Sequence, residues 1–547
     1  MMNDKRKLPY IITAIQMAAL SLFLAGCVGP DKAERSADIA VLYTGDVHCA
    51  VDESIGYAGL AAFKGELETQ GAQVLLVDTG DAIQGAPIGS LSEGELPIEI
   101  MNRLGYCAMT LGNHEFDYGQ DALSTLSEQA EFPFLALNFA DEASGKLIYR
   151  SYTVVERDGV KIAFVGVSTP NTLTSSRPTY FMDEKGNYIY SFLQDESGKK
   201  LWDATQQVVD TARKEEGAHY VIALTHLGIE TAAAPYLSTE LIANTTGIDA
   251  VLDGHSHSII ECERVQNKEG KRVLLSSTGS GLSHIGYLLI DRDGNLSTGL
   301  VSDYAQKDGD VAAYIDGLKA EYEQQLKQPV VTVKEDLVTD DPATGIRIVR
   351  RAETNLGNLC ADAIRAEANT DIAVMNGGGV RAGIKAGEIT YGDVLSVFPF
   401  GNHLCTIKVT GQQLLNALEL SVSAVPEENG GFLQVSGLTF TFRTDIPSPV
   451  IRDDSGMFTG VEGERRVQTV LVNGKPLEPD KTYSLAGTDY TLRDSGDGYS
   501  MFAGCPVLEA DVGLDFDTLL NFLTDDYLQN TSSYSDVYGD GRIVAVQ

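Results

Sequence analysis

The sequence predicts an α/β protein of two domains joined by a helix, and three observations support this fold class. Its 547 residues are more than one domain usually contains. From Ile39 to about residue 290, short apolar runs rich in β-branched residues alternate with polar loops and helix-like stretches. A charged, helix-favouring stretch from Val311 to Gln328 then separates this pattern from a second part of different composition.

The amino-terminal domain, predicted over residues 38–305, contains five apolar runs that each end in a polar cluster. These runs are Ile39–Tyr43, Val74–Val77, Ala108–Leu111, Tyr220–Leu224 and Ala250–Leu252. Because they are apolar at nearly every position, we expect strands of a sheet that is covered on both faces. The polar clusters follow the carboxyl ends of the strands, where open α/β folds bind their ligands.

The stretch from Val311 to Gln328 predicts a linker helix within residues 306–328, since Pro329 would end it. A second α/β domain is predicted over residues 329–547. It contains a helical pattern around Asn358–Glu367, glycine-rich turns and several strand-like runs. This second part is therefore expected to fold as a separate domain.

The first 27 residues are predicted to be an export signal. Lys5, Arg6 and Lys7 precede an apolar run from Tyr10 to Ala25, which is short for a permanent membrane helix. The run ends in LAGC, which resembles the lipobox of bacterial lipoproteins and predicts lipidation of Cys27, followed by a tether over residues 28–37. The alternative is an ordinary signal peptide with a chance cysteine. In both cases we expect an exported protein at the cell surface or in the periplasm. If Cys27 is lipidated, the attached lipid anchors the protein to the membrane.

Composition limits the partners and the kinds of site. The 77 acidic residues outnumber the 41 basic ones, for a net charge of −36, so polymeric nucleic acid is an unlikely ligand, whereas small anions remain possible in a locally positive cleft. The chain is 43% hydrophobic and 22% charged, which is typical of a globular protein. The six cysteines other than Cys27 are scattered without a CxxC motif, so no zinc-finger pattern is present and disulfides are neither required nor excluded.

The polar clusters at the five strand ends contain oxygen and imidazole donors without a thiolate, a set that suits Zn²⁺, Mn²⁺ or iron. The candidate metal ligands are Asp46, His48, Asp81, Asn113, His226, His255 and His257. Seven ligands are too many for one tetrahedral ion, but they suffice for two ions if one carboxylate bridges them. A two-metal site is a common apparatus for phosphoryl hydrolysis.

The ordered series GDVH, DTGD, GNHEFD, THLG and GHSH resembles the calcineurin-like metallophosphoesterases. NGGGVR and SGDGY in the second part narrow the resemblance to the secreted 5′-nucleotidase family, which includes bacterial bifunctional 5′-nucleotidase/cyclic phosphodiesterases and UDP-sugar hydrolases. The resemblance implies a four-layer α/β/β/α sandwich followed by a substrate-binding domain. It also implies two divalent ions, Zn, Mn or similar, one held by Asp46, His48, Asp81 and His257, and the other by Asp81, Asn113, His226 and His255.

The same resemblance implies a catalytic pair, His114 and Asp117. In the family, the Asp orients the imidazole, and the imidazole stabilises charge on the transferring phosphoryl group and its leaving oxygen. The nucleophile is a water whose pKa the metal ions lower. Glu115 between them is given no catalytic role.

Substrate contacts are implied in the second domain. Asn376 and Arg381 of NGGGVR match a segment that contacts the substrate, and of the neighbouring Arg350 and Arg351 we favour Arg351. The family holds the base between two aromatic rings and the ribose on an Asp; the first ring corresponds to Phe400 and the Asp to Asp497. The position expected for the second ring is Thr491, so Tyr490 is the candidate, unless the base is held by one ring only.

The sequence therefore predicts an exported metallophosphoesterase that hydrolyses nucleoside 5′-phosphates to nucleoside and phosphate. Among enzymes, the alternatives are a 2′,3′-cyclic nucleotide phosphodiesterase and a UDP-sugar or other nucleotide-sugar hydrolase. The metal ions act on the phosphoryl group and do not select the group attached to it. Outside enzymes, the alternative is a nucleotide-binding lipoprotein, which would have no need of so many metal ligands.

Overall fold

The computed structural model describes residues 37–183, 185–230, 233–524 and 534–546, and it shows a two-domain α/β fold. The predicted lipidation residue Cys27 and the predicted signal lie outside the described residues. Among the described helices, none combines the length and the apolar character that crossing a membrane requires.

The amino-terminal domain is built on two six-stranded sheets. Its strands are β1 (Ile39–Thr44), β2 (Gln73–Asp78), β3 (Tyr106–Thr110), β4 (Phe134–Leu135), β5 (Ala140–Asp141), β6 (Tyr152–Arg157), β7 (Val160–Ser168), β8 (Tyr190–Ser191), β9 (Tyr220–His226), β10 (Ala250–Asp253), β11 (Ile259–Gln266), β12 (Arg272–Thr278), β13 (Ile285–Ile290) and β14 (Leu296–Val301). The strand orders are β14-β13-β1-β2-β3-β4 and β11-β12-β10-β9-β7-β6. The central strands of each sheet are parallel: β1, β2 and β3 in the first sheet, and β7, β9, β10 and β12 in the second. Their carboxyl ends therefore meet at one edge of each sheet.

The faces of β1 show why these strands are apolar at nearly every position. Ile39, Val41 and Tyr43 lie in the core between the two sheets. Ala40 and Leu42 lie in the core under the helices on the outer face of the first sheet. The outer face of the second sheet is covered in the same way. The layers are therefore α/β/β/α, and both faces of each sheet are buried.

Helices supply the two outer layers. They are α1 (Gly56–Thr69), α2 (Pro87–Ser92), α3 (Glu95–Leu104), α4 (Gly119–Gln129), α5 (Thr172–Ser175), α6 (Lys199–Lys214) and α7 (Ser238–Asn244). Helices α1 to α4 pack on the first sheet, and α6 and α7 pack on the second. Short 3₁₀ turns follow β3 at His114–Phe116 and α5 at Pro178–Phe181.

Helix α8 (Gly309–Leu326) lies within the range predicted for the linker. It begins before Val311 because the Asp308 side chain accepts hydrogen bonds from the backbone N–H groups of Asp310 and Val311. Val311 and Ile315 pack into the core of the amino-terminal domain, so the helix is seated on that domain.

The carboxy-terminal domain combines a five-stranded sheet of order β19-β16-β25-β18-β26 with a four-stranded sheet of order β24-β23-β20-β27. Its strands are β15 (Pro329–Val333), β16 (Ile372–Asn376), β17 (Gly387–Thr390), β18 (His403–Thr410), β19 (Leu433–Ser436), β20 (Leu438–Arg443), β21 (Val450–Arg452), β22 (Phe458–Val461), β23 (Val467–Val472), β24 (Lys475–Pro476), β25 (Thr482–Thr488), β26 (Val507–Leu514) and β27 (Ile543–Val546). Its helices are α9 (Asn355–Ala368), α10 (Tyr391–Val397), α11 (Gly411–Ser421), α12 (Asp489–Leu492) and α13 (Asp515–Thr524). Helix α9 begins three residues before the predicted Asn358 because the Thr354 side chain caps it.

Candidate active site

The polar clusters after the central strands meet at the carboxyl edges of the two sheets. The backbone there is unusual, because five of the predicted ligands adopt a positive φ: Asp46 (51°), His48 (50°), Asp81 (59°), His255 (81°) and His257 (52°). Asp and His are among the residues that tolerate this conformation best, although it still costs energy. Such strain concentrates at functional sites, where the surrounding structure enforces it.

Six of the seven predicted metal ligands lie in two groups of donor atoms, and a third group, His48, Asp81 and His114, shares one residue with each. In one group, donor atoms of Asp46, His48 and His257 lie within 4.8 Å of one another, and in the other, those of Asp81, His226 and His255 do. Asp81 is close to both groups, since its Oδ2 is 3.0 Å from His226 Nε2 and 3.9 Å from His48 Nε2.

Asn113 completes the second group. Its side-chain oxygen is 3.0 Å from Nδ1 of His255. The site thus combines oxygen and nitrogen donors, and the Asp81 carboxylate lies between the two groups.

The imidazoles are arranged to present lone pairs to a cation. His48 Nδ1 lies 2.9 Å from the Gln84 carbonyl and His226 Nδ1 lies 2.7 Å from the Thr79 carbonyl, which places the proton on Nδ1 and leaves Nε2 free. Nε2 of His226 is buried and lies 3.0 Å from Oδ2 of Asp81, so both atoms could face one cation. Nε2 of His48 lies 3.0 Å from Nε2 of His257, so the two nitrogens are close enough to bind one cation.

Burial favours the metal-binding form of these rings. It holds the pKa values of His48 and His257 well below the ordinary value, and it lowers the pKa of His255 to about 3. These three imidazoles are therefore neutral near pH 7, whereas the neighbouring carboxylates of Asp81 and Asp46 raise the pKa of His226 to about 10. The donor set fits divalent cations such as Zn²⁺ or Mn²⁺.

Three buried acids outside the ligand set hold the metal-site loops. Glu115 accepts hydrogen bonds from the backbone N–H groups of Asp81 (2.8 Å), Ala82 (2.8 Å) and Gly112 (2.6 Å), and so ties two loops together. Asp78 accepts from the Thr44 hydroxyl (2.6 Å) and the Gly80 N–H (2.7 Å).

Asp253 holds the loop after strand β9 of the second sheet in the same way. It accepts from the Thr225 hydroxyl at 2.7 Å and from the Leu227 N–H at 3.2 Å, on either side of His226. Sequence reasoning allowed Glu115 as a hydrogen-bond acceptor behind the ligands, but it missed the supporting roles of Asp78 and Asp253. The signal that could have found them is an acid at a strand end beside each predicted ligand.

His114 and Asp117 lie beside the metal-ligand cluster. His114 Nδ1 is 2.5 Å from Asp117 Oδ2, and the backbone N–H of His114 donates to Asp81 Oδ1 at 2.8 Å. The ring of Phe400, from the other domain, stacks on the His114 ring with centroids 5.6 Å apart. The pair therefore lies where the two domains face each other.

A cavity of about 680 Å³ lies between the domains. Its wall includes Asp81, Asn113, His114, Asp117, His255 and His257 from the amino-terminal domain, and Asn376, Arg381, Phe400, Tyr490 and Asp497 from the carboxy-terminal domain. The structure thus brings the predicted dyad, several predicted metal ligands and five of the six predicted substrate-binding residues to one cavity.

Arg351, the arginine favoured from the sequence, is the exception. Arg350 lines the cavity and Arg351 does not, although the two are consecutive in one turn, in which the Arg351 N–H donates to the Ile348 carbonyl. Nε of Arg350 is buried and makes no hydrogen bond with the described residues. Arg347 also lines the cavity, and sequence reasoning missed it.

The arginines form a site for an anion. Burial and the neighbouring guanidinium groups hold the pKa of Arg350 well below its ordinary value and lower the pKa of Arg381 to about 10. Charges of one sign are therefore held close together. An anion that enters between them would relieve this repulsion.

The residues predicted to hold a nucleoside lie at another part of the wall. Asn376 Nδ2 donates to Asp497 Oδ2 at 2.9 Å, and burial raises the pKa of Asp497 to about 6. The Tyr490 hydroxyl accepts from the Asp497 N–H at 3.1 Å and donates to the Thr174 carbonyl at 2.8 Å. Thr491 is only 1% exposed and does not line the cavity. Of these two neighbours, Tyr490 is therefore the one with access to a ligand.

The sequence matches two family models. Residues 39–258 match the calcineurin-like phosphoesterase model, and residues 329–504 match the 5′-nucleotidase, C-terminal domain model.

Similar proteins are named as phosphoesterases. A 5′-nucleotidase of Vibrio cholerae is 28% identical over 91% of this chain and 92% of its own length. A trifunctional nucleotide phosphoesterase protein of Bacillus subtilis is 30% identical over 85% of this chain and 32% of its own length. The crystal structure of a 5′-nucleotidase precursor from Thermus thermophilus is 26% identical, with a TM-score of 0.78 over 93% of this chain and 99% of that one.

Proposed function

Because this chain belongs to the calcineurin-like phosphoesterases that carry a 5′-nucleotidase C-terminal domain, and is thus a phosphoric monoester hydrolase, we propose that it hydrolyses nucleoside 5′-phosphates to nucleoside and phosphate. The observation that carries the proposal is the composition of the interdomain cavity. Metal-ligand candidates and the His114–Asp117 pair line one side, and arginines with Asp497 and two aromatic rings line the other.

Two divalent ions are proposed, with Asp81 between them. Asp46, His48 and His257 would hold one ion, and Asn113, His226 and His255 the other. When bound, the ions would polarise the phosphoryl group and activate water for its attack. The convergence of these donor atoms within 4.8 Å of one another in each group, with Asp81 Oδ2 3.0 Å from His226 Nε2, supports this proposal.

The roles of the protein groups follow from their contacts. Asp117 holds Nδ1 of His114, so the other ring nitrogen is left to stabilise and protonate the leaving oxygen. Arg350 and Arg381 would bind the phosphate through charge-assisted hydrogen bonds. Asp497 would accept hydrogen bonds from the ribose hydroxyls.

The base would lie against Phe400 and Tyr490, both of which line the cavity. Stacking tolerates every base, because each has a flat aromatic face. Cyclic and sugar nucleotides remain second candidates, since a cavity of about 680 Å³ has room for more than a mononucleotide. The match to a trifunctional nucleotide phosphoesterase protein agrees with such breadth.

Export and a lipid anchor at Cys27 complete the proposal. They are supported by the basic and apolar leader and the LAGC sequence alone. Replacing Cys27 by Ala should move the protein from the membrane fraction to the soluble fraction; an unchanged distribution would contradict lipidation.

The proposed reaction is tested by phosphate release from AMP, a 2′,3′-cyclic nucleotide, a UDP-sugar and 4-nitrophenyl phosphate, with and without a chelator. AMP is expected to have the highest kcat/KM, and Asp81→Ala is expected to abolish turnover. A protein that binds AMP but releases phosphate from none of these substrates would instead be a nucleotide-binding lipoprotein. Full activity after metal removal would contradict the metal-dependent reaction.

A further inference from the structure

Four residues of the amino-terminal domain, Thr174–Arg177, contact both the His114–Asp117 pair and the carboxy-terminal domain. We call them the junction segment. They lie at the end of α5 and before the 3₁₀ turn Pro178–Phe181, on the wall of the interdomain cavity. Nothing in the sequence motifs points to this segment, and the reaction described above does not use it.

On one side, the junction segment fixes the carboxylate of the dyad. The Ser176 hydroxyl donates to Asp117 Oδ1 at 2.9 Å, while Asp117 Oδ2 contacts His114 Nδ1 at 2.5 Å. Ser176 is only 1% exposed, so water does not compete freely for this hydrogen bond. Both oxygens of Asp117 are therefore engaged, and the carboxylate cannot turn without losing one of the two contacts.

On the other side, the junction segment is anchored to the substrate domain. The Arg177 guanidinium donates to Asp489 Oδ2 at 3.1 Å and to Asn402 Oδ1 at 3.1 Å. Arg177 and Asp489 are 23% and 14% exposed, so this pair is better shielded than an ordinary surface ion pair. The Thr174 carbonyl accepts from the hydroxyl of Tyr490, the proposed second wall of the base site.

We propose that the junction segment couples the seating of the carboxy-terminal domain to the alignment of the dyad. Ser176 is the positioning residue for Asp117, and Arg177 is the anchor across the domain boundary. With the anchor in place, the Ser176 hydroxyl is held against Asp117 and keeps the carboxylate directed at His114. This inference rests on the proposed function, since it concerns the same dyad.

The test is steady-state kinetics on AMP and on 4-nitrophenyl phosphate, which lacks the nucleoside. Ser176→Ala is expected to lower kcat about 10-fold on both substrates, with KM changed less than about twofold, as for other groups that orient a reacting side chain. Arg177→Met is expected to lower kcat about 3- to 10-fold on both substrates. The double variant should be no slower than Ser176→Ala alone, because both changes act through one contact.

Two matched controls separate this role from a general loss of a buried hydroxyl or an ion pair. Ser92→Ala removes a buried hydroxyl that donates to the Ile88 carbonyl, away from the dyad. Arg213→Met removes an arginine paired with Asp249 inside the amino-terminal domain, at a similar exposure of 26%. Both controls should keep kcat within about twofold of the unchanged protein.

Two further variants keep the test decisive if Ser176→Ala does not fold. Ser176→Thr retains a hydroxyl and should keep most of the activity. Asp489→Leu removes one of the acceptors that Arg177 meets on the opposite domain, beside Asn402 at 3.1 Å and Asp494 at 3.7 Å, and should lower kcat in the same direction as Arg177→Met but by less.

Distinct results would overturn the coupling. An unchanged kcat in Ser176→Ala or Arg177→Met would do so. So would an Arg177→Met variant that raises only KM for AMP and leaves the aryl phosphate unaffected, because Arg177 would then support the nucleoside site alone. If the unchanged protein released phosphate from neither substrate, the proposed function itself would fail, whereas an active protein with unaffected variants would refute only the coupling.

Discussion

Replacing Glu115 by Gln tests whether one buried carboxylate holds the metal-site loops together. Oε2 of Glu115 accepts from the N–H groups of Asp81 and Gly112, and Oε1 accepts from that of Ala82. A glutamine can place its carbonyl on the first two donors, but its NH₂ group then faces the third. One hydrogen bond is lost and two change from charged to neutral acceptors.

The magnitude follows from these three contacts. A hydrogen bond to a charged group contributes about 1.5 to 3 kcal/mol and a neutral one about 0.5 to 1.5 kcal/mol, so the substitution should weaken these contacts by about 3.5 to 6 kcal/mol where the carboxyl is ionised. Burial and Asp81 raise the pKa of Glu115 to about 7, so removal of this buried charge offsets part of the loss in folding free energy. Since the same bonds position Asp81 and the loop before Asn113, affinity for Zn²⁺ or Mn²⁺ should fall by about 10- to 100-fold. The two effects share one cause.

The assay is urea unfolding of the metal-free protein, followed by the fluorescence of the single tryptophan, Trp202, which lies in α6 of the amino-terminal domain. Metal affinity is measured by competition with a chelating dye. Glu419→Gln is the matched control, followed by circular dichroism, because Glu419 is also buried and accepts from two backbone N–H groups, those of Arg466 (2.7 Å) and Val467 (3.2 Å), in the other domain. The control is expected to be destabilised and to bind metal normally. If Glu115→Gln behaved in the same way, Glu115 would not position Asp81 and the loop before Asn113 for metal binding.

Replacing His114 by Ala should lower kcat by roughly 10²- to 10⁴-fold with metal content unchanged, as measured by kinetics beside elemental analysis; a parallel loss of metal would make His114 a ligand. Arg350→Ala should raise KM for AMP by about 10- to 100-fold, the value of a charge-assisted hydrogen bond, while Arg351→Ala should change it less than about twofold. Equal effects of the two arginine variants would contradict the assignment to Arg350. Tyr490→Ala should raise KM for AMP by about 5- to 100-fold, since stacking contributes about 1 to 3 kcal/mol, and Thr491→Val should leave KM unchanged; an unchanged KM in Tyr490→Ala would leave the base with one ring.

The parts of the fold that depend on local pattern could be predicted from the sequence. The run Ile39–Tyr43 corresponds to β1 (Ile39–Thr44), and Tyr220–Leu224 falls within β9 (Tyr220–His226). A strand that is covered on both faces is apolar at consecutive positions, and parallel neighbours bring their carboxyl ends together, so the pattern also indicated which polar clusters would meet.

Other features depend on side-chain direction or on long-range packing, and the sequence does not encode these locally. Arg350 and Arg351 are chemically identical neighbours, and only the conformation of their turn decides which one reaches the cavity. The contact between Ser176 and Asp117 joins residues 59 positions apart, and that between Arg177 and Asp489 spans 312 positions and two domains. Their polar side chains have no periodicity or motif that would have distinguished them from ordinary surface residues.

The chain is strongly acidic, yet the proposed substrate is an anion, and the placement of a few arginines in the cavity explains how it could bind. A net charge of −36 would repel a nucleotide over most of the surface. Within the cavity, however, burial and the positive charge of the neighbouring Arg347 lower the pKa values of both Arg350 and Arg381, so these guanidinium groups are destabilised until an anion lies between them. A phosphate that enters gains its hydrogen bonds and also relieves this repulsion, and divalent ions at the neighbouring cluster would add to the attraction. Affinity for a small phosphate ester can therefore coexist with a strongly acidic chain, because Arg350 and Arg381 lie together in the wall of the cavity where the chemistry is proposed to occur.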